Sequence, residues 1–122
     1  MARVKLQYSI IYQQDAQQGL LNFIHGFPPG KTSFYVSNKW IWDDHNYLED
    51  GFYQETSILK NGQPIAVSRS EFFNVKLSHT HHNYFEGIVF TKEADYRIRV
   101  TLFNKQGEMV KEASLEYPLF IR

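Results

Sequence analysis

Apolar and polar residues alternate with a period of two along most of this chain. In Tyr96-Arg97-Ile98-Arg99-Val100-Thr101-Leu102 the alternation holds for seven positions, and Asn104-Lys105-Gln106-Gly107 then turns the chain toward a strand from Met109 to Tyr117. Successive side chains of an extended strand point to opposite faces, so the pattern predicts sheets with one face buried and one wet, as in antiparallel architectures. The first segment behaves alike: Val4, Leu6, Tyr8, Ile10 and Tyr12 fall on one side, and Arg3, Lys5, Gln7 and Ser9 on the other.

Turn chemistry separates the remaining runs. Gln13 to Gly19 reads as a turn, and Leu20 to Phe27 as a second strand ended by Pro28-Pro29-Gly30, which cannot sustain a ladder. Phe34 to Trp42 is a third strand with Phe34, Val36, Trp40 and Trp42 on one face, followed by the turn formers Asp43-Asp44-His45-Asn46. Asn61-Gly62 stands between Phe52–Lys60 and Ile65–Phe72, and predicts a two-residue hairpin because both central residues of a type I′ turn need positive φ. Pro64, just after the turn, predicts a protected or an edge position for the second of these strands. Val75 to Leu77, a polar stretch through Asn83, and Tyr84 to Phe90 complete the series, and Tyr47 to Tyr53 holds one helical turn at most.

About eight short strands in one domain spanning residues 1–122 predict an all-β protein, an antiparallel two-sheet β-sandwich of about seven to eight strands with immunoglobulin-like architecture. The expected core is Val4, Leu6, Tyr8, Ile10, Phe23, Val36, Trp40, Ile58, Val67, Val75, Leu77, Ile88, Phe90, Tyr96, Ile98, Val100 and Leu102. Composition agrees: ten Phe and eight Tyr can fill an interior with few residues, since each ring buries a large area.

Thirteen basic and thirteen acidic residues balance, so the chain as a whole offers no attraction to nucleic acid or an anionic membrane, and neither is an expected partner. Cysteine is absent, which excludes disulfides, a thiolate nucleophile and Cys-ligated metal. The N-terminal stretch is charged but lacks an apolar block of signal-peptide length, and no run approaches the roughly 18 apolar residues of a spanning helix. The expected compartment is the cytoplasm.

The segment Phe90-Thr91-Lys92-Glu93-Ala94-Asp95-Tyr96-Arg97-Ile98 resembles a recurring sandwich pattern, in which a strand ending in Phe is followed by a tight bend and by Tyr at the head of the next strand. Macroglobulin-like and immunoglobulin-like domains share it. Glu93 and Ala94 stand where the pattern has Pro and Gly. With the opening strand Val4 to Ile11 and Leu20-Leu21-Asn22-Phe23-Ile24, the chain is similar to an uncharacterised bacterial family of small stand-alone β-sandwich proteins. The resemblance implies no activity and no functional residues. It does imply a structural role for Tyr96: a tyrosine corner, whose hydroxyl bonds back to the preceding loop backbone.

Candidate chemistry is sparse. His79 and His81 project to the same side of a strand, about 6–7 Å apart, which suits two imidazoles on one divalent metal. With His82 they form the candidate metal set, a further ligand coming from Glu86, Asp43, Asp44 or His45; an exposed, solvated loop and a pH-responsive contact are the competing readings, and no other cofactor is expected. Asp43 to Asn46 reads better as a hydrogen-bonded turn than as a calcium loop. Gly30-Lys31-Thr32 lacks the upstream glycine and following helix of a phosphate loop. Glu49 with Asp50, or Glu55 with Glu71, offers carboxylate pairs, but no catalytic motif fixes their separation, so a non-enzymatic protein is expected.

The candidate binding residues are Trp40, Trp42, Tyr47, Tyr53, Arg97 and Arg99. The aromatics can anchor a partner or stack on a sugar, and the arginines, with Lys105 and Lys111, can form a basic strip. The leading expectation is a non-catalytic, bacterial or phage-associated module that binds a protein partner or forms a homodimer through edge strands. The alternatives are a carbohydrate-binding module built on Trp42, Tyr47 and Tyr53, and a metal-binding protein built on the histidines.

Overall fold

The computed structural model describes residues 4–14, 21–24, 26–42, 51–74, 78–110 and 113–122. The chain runs through β1 (Val4–Gln14), β2 (Leu21–Ile24), β3 (Gly26–Phe27), β4 (Gly30–Trp42), β5 (Gly51–Lys60), β6 (Gln63–Arg69), β7 (Phe73–Asn74), β8 (Ser78–Phe90), β9 (Tyr96–Asn104) and β10 (Leu115–Ile121). One sheet has the order β2-β1-β4-β8 and the other β3-β10-β9-β5-β6, with β7 pairing the start of β5 on the flank that β6 leaves free. The all-β, two-layer architecture is as the alternation predicts.

Three details differ from the expectation, each for a local reason. The predicted strand Leu20 to Phe27 is two strands: β2 pairs with β1, whereas β3 crosses to the other sheet and runs parallel to β10, which makes that sheet mixed. A Cβ on Gly26 would lie 2.8 Å from the Phe120 carbonyl oxygen, so only glycine permits this approach. The last strand begins at Leu115 rather than Met109, which makes only an isolated bridge with Phe103. The histidine run, read as a polar stretch, belongs to the 13-residue β8, which pairs with β4 from Ser78–Ile41 to Phe90–Gly30. Pairing with a central strand overrides weak local propensity.

The predicted core is shifted by a bulge in β1. Leu6 lies opposite Trp40 and Tyr8 opposite Lys39, so one extra residue reverses the faces beyond it. Ile11 is therefore buried, and Tyr8 is exposed. Val67, opposite Ser57 on the outer face, is 55% exposed and not a core residue. Phe23, Val75 and Leu77 carry side chains outside the described residues. The hairpin at Asn61-Gly62 forms as its sequence dictates, with φ of 51° and 83° and Lys60 opposite Gln63. Tyr96 accepts a hydrogen bond from the Thr91 backbone N–H at 2.9 Å, the corner geometry expected of it.

Two kinds of packing fill the interior. At one end, Phe27, Phe34, Phe85 and Phe90 form ring pairs at 5.0–6.0 Å, and Tyr96 meets Phe90 edge-on at 4.9 Å. Further along, the same sheets meet through amides. Gln54 Oε1 accepts from Asn38 Nδ2 at 3.0 Å and from the Trp40 indole N–H at 3.1 Å, and Gln54 Nε2 donates to Asn83 Oδ1 at 3.0 Å. Asn38 also donates to Thr56 Oγ1, Ser68 Oγ to Asn83 Oδ1, and Asn83 Nδ2 to the Val36 carbonyl. Asn38, Gln54, Thr56 and Asn83 are all buried, so these bonds replace lost hydration.

Candidate binding surface

The three candidate metal ligands do not converge. His79 and His81 lie on the inward side of β8 with ring centroids 6.1 Å apart, as their spacing predicts. His82 points the other way, where its Nδ1 meets Tyr12 Oη at 3.1 Å and Ser37 Oγ. An odd–even step along a strand reverses the face, so three histidines at 79, 81 and 82 cannot share one ion on this backbone. Among the described residues no group of three or more His, Cys, Asp or Glu side chains is placed to hold a metal. Glu86 is exposed on the His82 side, and Asp43, Asp44 and His45 lie outside the described residues.

The surroundings of both inward histidines disfavour the charged imidazolium. Burial lowers the His79 pKa below its ordinary value of 6.5, and its ring stacks on Phe73 at 3.9 Å while buried Nε2 has no hydrogen-bond partner. Burial, then proximity to His79 and His82, lowers that of His81. Ser37 beside His82 is no exposed nucleophile, because it is buried in the middle of the sheet. Lys31 and Thr32 lie in β4 opposite Val89 and Ile88, with no helix after them, so they form no phosphate loop. Glu49 and Asp50 lie outside the described residues.

The candidate binding aromatics separate. Trp40 is wholly buried, with its indole N–H bonded to Gln54, and therefore cannot serve as a surface platform. The Trp42 side chain and Tyr47 lie outside the described residues; the Trp42 backbone pairs with Val4. Arg97 and Arg99 point outward but converge on Glu116 at 3.9 and 3.3 Å, and Arg97 also meets Asp95 at 3.4 Å. This is a mixed-charge row rather than a basic strip, and Lys111 lies outside the described residues.

Tyr53 stands in a surface groove. A groove of about 700 Å³ on the outer side of the second sheet is lined by Tyr53, Arg69, Glu71, Phe72, Lys105 and Gln106, among others. β5 places Tyr53 between β9 and β6. Phe103 of β9 stacks on its ring at 4.9 Å and 12°, and the Arg69 guanidinium of β6 lies 5.2 Å from its centroid. Phe72 meets its edge at 5.4 Å and 82°. Glu55 pairs with Arg69 and raises its pKa, so Glu55 is an ion-pair partner, not a free acid–base group.

Phe72, Phe103 and Arg69 are absent from the sequence-based candidates. A regular hairpin counted from Asn61-Gly62 would set Ser68 opposite Glu55; the bulge at Ile58/Leu59 sets Arg69 there instead. Phe103 could be found only by knowing that β9 joins β5.

The outer side of the first sheet carries a second aromatic row. Tyr12, Tyr35 and Tyr84 of β1, β4 and β8 form a row across the strands: Tyr12 stacks on Tyr35 at 5.1 Å, and Tyr35 meets Tyr84 at 4.8 Å with the rings tilted by 42°. Tyr12 is buried, and Tyr84, on the edge strand, is 51% exposed. Among the described residues no helix is long and apolar enough to cross a membrane. No family profile matches this chain, and no curated protein sequence matches it.

Proposed function

We propose that this protein is a non-catalytic binding module that engages a protein partner through the groove around Phe72. The observation that carries this reading is the contrast between Phe72 and Tyr53. Phe72 is 63% exposed at the mouth of the groove, beside Arg69, Glu71 and Lys105, and an aromatic with an arginine at the centre and charges around it is the composition of a protein–protein hot spot. Tyr53 has Phe103 on one face and Arg69 on the other, which leaves no open ring for a sugar and weighs against the carbohydrate reading.

The immunoglobulin- or macroglobulin-like type and a bacterial or phage-associated setting rest on the resemblance of the Phe90–Ile98 segment and of the opening strands; a cytoplasmic setting rests on the cysteine-free composition, which suits a reducing compartment. Affinity capture from the source cells tests the reading, with wild type compared to Phe72→Asp. The expected result is a protein retained by wild type and lost by the variant, with unchanged thermal unfolding. An unchanged set of captured proteins, or Phe72-dependent binding on a glycan array, overturns it.

A further inference from the structure

We propose that the free edge of β8 binds a second copy of this chain, antiparallel, about a two-fold axis through Tyr84. The inference is independent of the groove, which lies on the other sheet. It begins from how the edges differ. β2 has four residues and β3 two, and β6 carries Pro64 and ends in Arg69. Short length, proline and charge are the usual devices that keep an edge from pairing with another chain. β8 has neither the short length nor the proline: it runs 13 residues, and Ser78 to Phe85 contains no Asp, Glu, Lys or Arg, its one carboxylate being Glu86, beside the bulge at Gly87. Among the described residues it pairs with β4 alone.

The outward side chains of β8 specify the occupant. Thr80, His82, Tyr84 and Glu86 are all exposed, while Asn83 and Phe85 between them are buried, so these four form one outer row. Tyr84 is the midpoint of Ser78–Phe90. Antiparallel pairing of two copies centred there sets Tyr84 against Tyr84, and twice sets His82 against Glu86 of the second copy. The tyrosine row already steps across the sheet at 5.1 and 4.8 Å and stops at the exposed ring of Tyr84. Another strand at the ordinary spacing of about 4.8 Å continues that row of ring contacts into the second copy. His82 Nδ1 is already engaged by the Tyr12 and Ser37 hydroxyls, which leaves Nε2 as the ring nitrogen facing the carboxylate; in the tautomer whose Nδ1 accepts a hydroxyl proton, Nε2 donates to it. The pairing is self-complementary in charge, shape and register, as an isologous contact must be.

Sedimentation of the full chain tests this. Wild type is expected to sediment as a dimer that dissociates on dilution. Tyr84→Lys and Tyr84→Glu each set like charges on the axis and are expected to be monomers with wild-type circular dichroism. An equimolar mixture of the two regains the dimer, because opposite charges then meet. Tyr84→Cys adds the chain's one thiol and is expected to oxidise to a covalent dimer, whereas Thr80→Cys is not. A wild type that stays monomeric at the highest concentration reached, a dimer that persists in both charge variants, or a mixture that does not reassociate overturns the proposal.

Discussion

The two ends of the sandwich interior are closed by the same pair of sheets in opposite ways. Around Phe27, Phe34, Phe90 and Tyr96 the contact is ring against ring, whereas around Gln54 it is amide against amide. Apolar contact is non-directional, so the aromatic end holds the layers together without dictating how they slide. Hydrogen bonds have direction, so the polar end fixes β4, β5 and β8 relative to one another. The asymmetry has an energetic side: a ring that loses some contact loses a fraction of its packing, but a buried amide that loses its partner keeps the whole desolvation penalty.

The largest effect should come from Gln54→Leu, which fills similar space but leaves the Trp40 indole N–H without its acceptor and removes bonds to Asn38 and Asn83. A loss of about 3 kcal/mol is expected in urea denaturation. Phe34→Leu at the aromatic end should cost about 1.5 kcal/mol, since neighbouring rings can partly close the gap. If the leucine at 34 proves the more damaging, the division between directional and non-directional ends is wrong.

Tyr96→Phe sharpens the same comparison within the aromatic end, because it removes one hydroxyl and leaves the ring. Thr91 N–H then loses its acceptor, and a loss of about 1 kcal/mol is expected by the same measurement. A neutral result would assign the corner's contribution to ring packing alone.

The smallest effect concerns pH. His79 and His81 sit opposite Trp40 and Asn38 at the polar end; the titratable groups near them are each other and, for His81, His82, while Trp40, Asn38 and Phe73 carry no charge. Both have pKa values lowered by burial, so the unfolded chain binds protons more readily than the folded one. Their contribution is present above the ordinary imidazole value of 6.5, is lost as pH falls below it, and levels off under the folded-state values. Thermal unfolding is expected to drop by a few degrees from pH 7.5 to pH 5, with part of that slope absent in His79→Phe. Amide exchange should show β8 opening before β9; equal opening along both strands would remove the histidines from the account. Tyr117 is pushed up to about 12 by burial, against a smaller opposing effect of its bond to Ser9, and so does not titrate in this range.

Much of the strand framework was legible in residue order, and little of the candidate surface was. Alternation located β9, Asn61-Gly62 fixed the β5–β6 turn, and the Phe90–Tyr96 bend gave the corner, since each is encoded within a few neighbouring residues. Among the described residues Tyr53 and Lys105 are the sequence candidates that lie in the groove, and Tyr53's companions Phe72, Phe103 and Arg69 come from other segments of the chain. Trp40 was readable both as core and as surface: periodicity gives the side of a strand and not what lies beyond it.

By itself, then, the sequence determined the extended backbone, most turns and the aromatic supply for a two-layer interior, all of which follow from local φ preferences and a two-residue period. The tertiary structure decided which strands are neighbours, where the bulges in β1 and β6 reverse or shift a face, and that Asn38, Gln54 and Asn83 meet inside. Among the described residues it also left β8 last in its sheet, and it divided the histidines between two sides of one strand. Those outcomes depend on pairing between residues far apart in the chain, and one inserted residue is enough to change them.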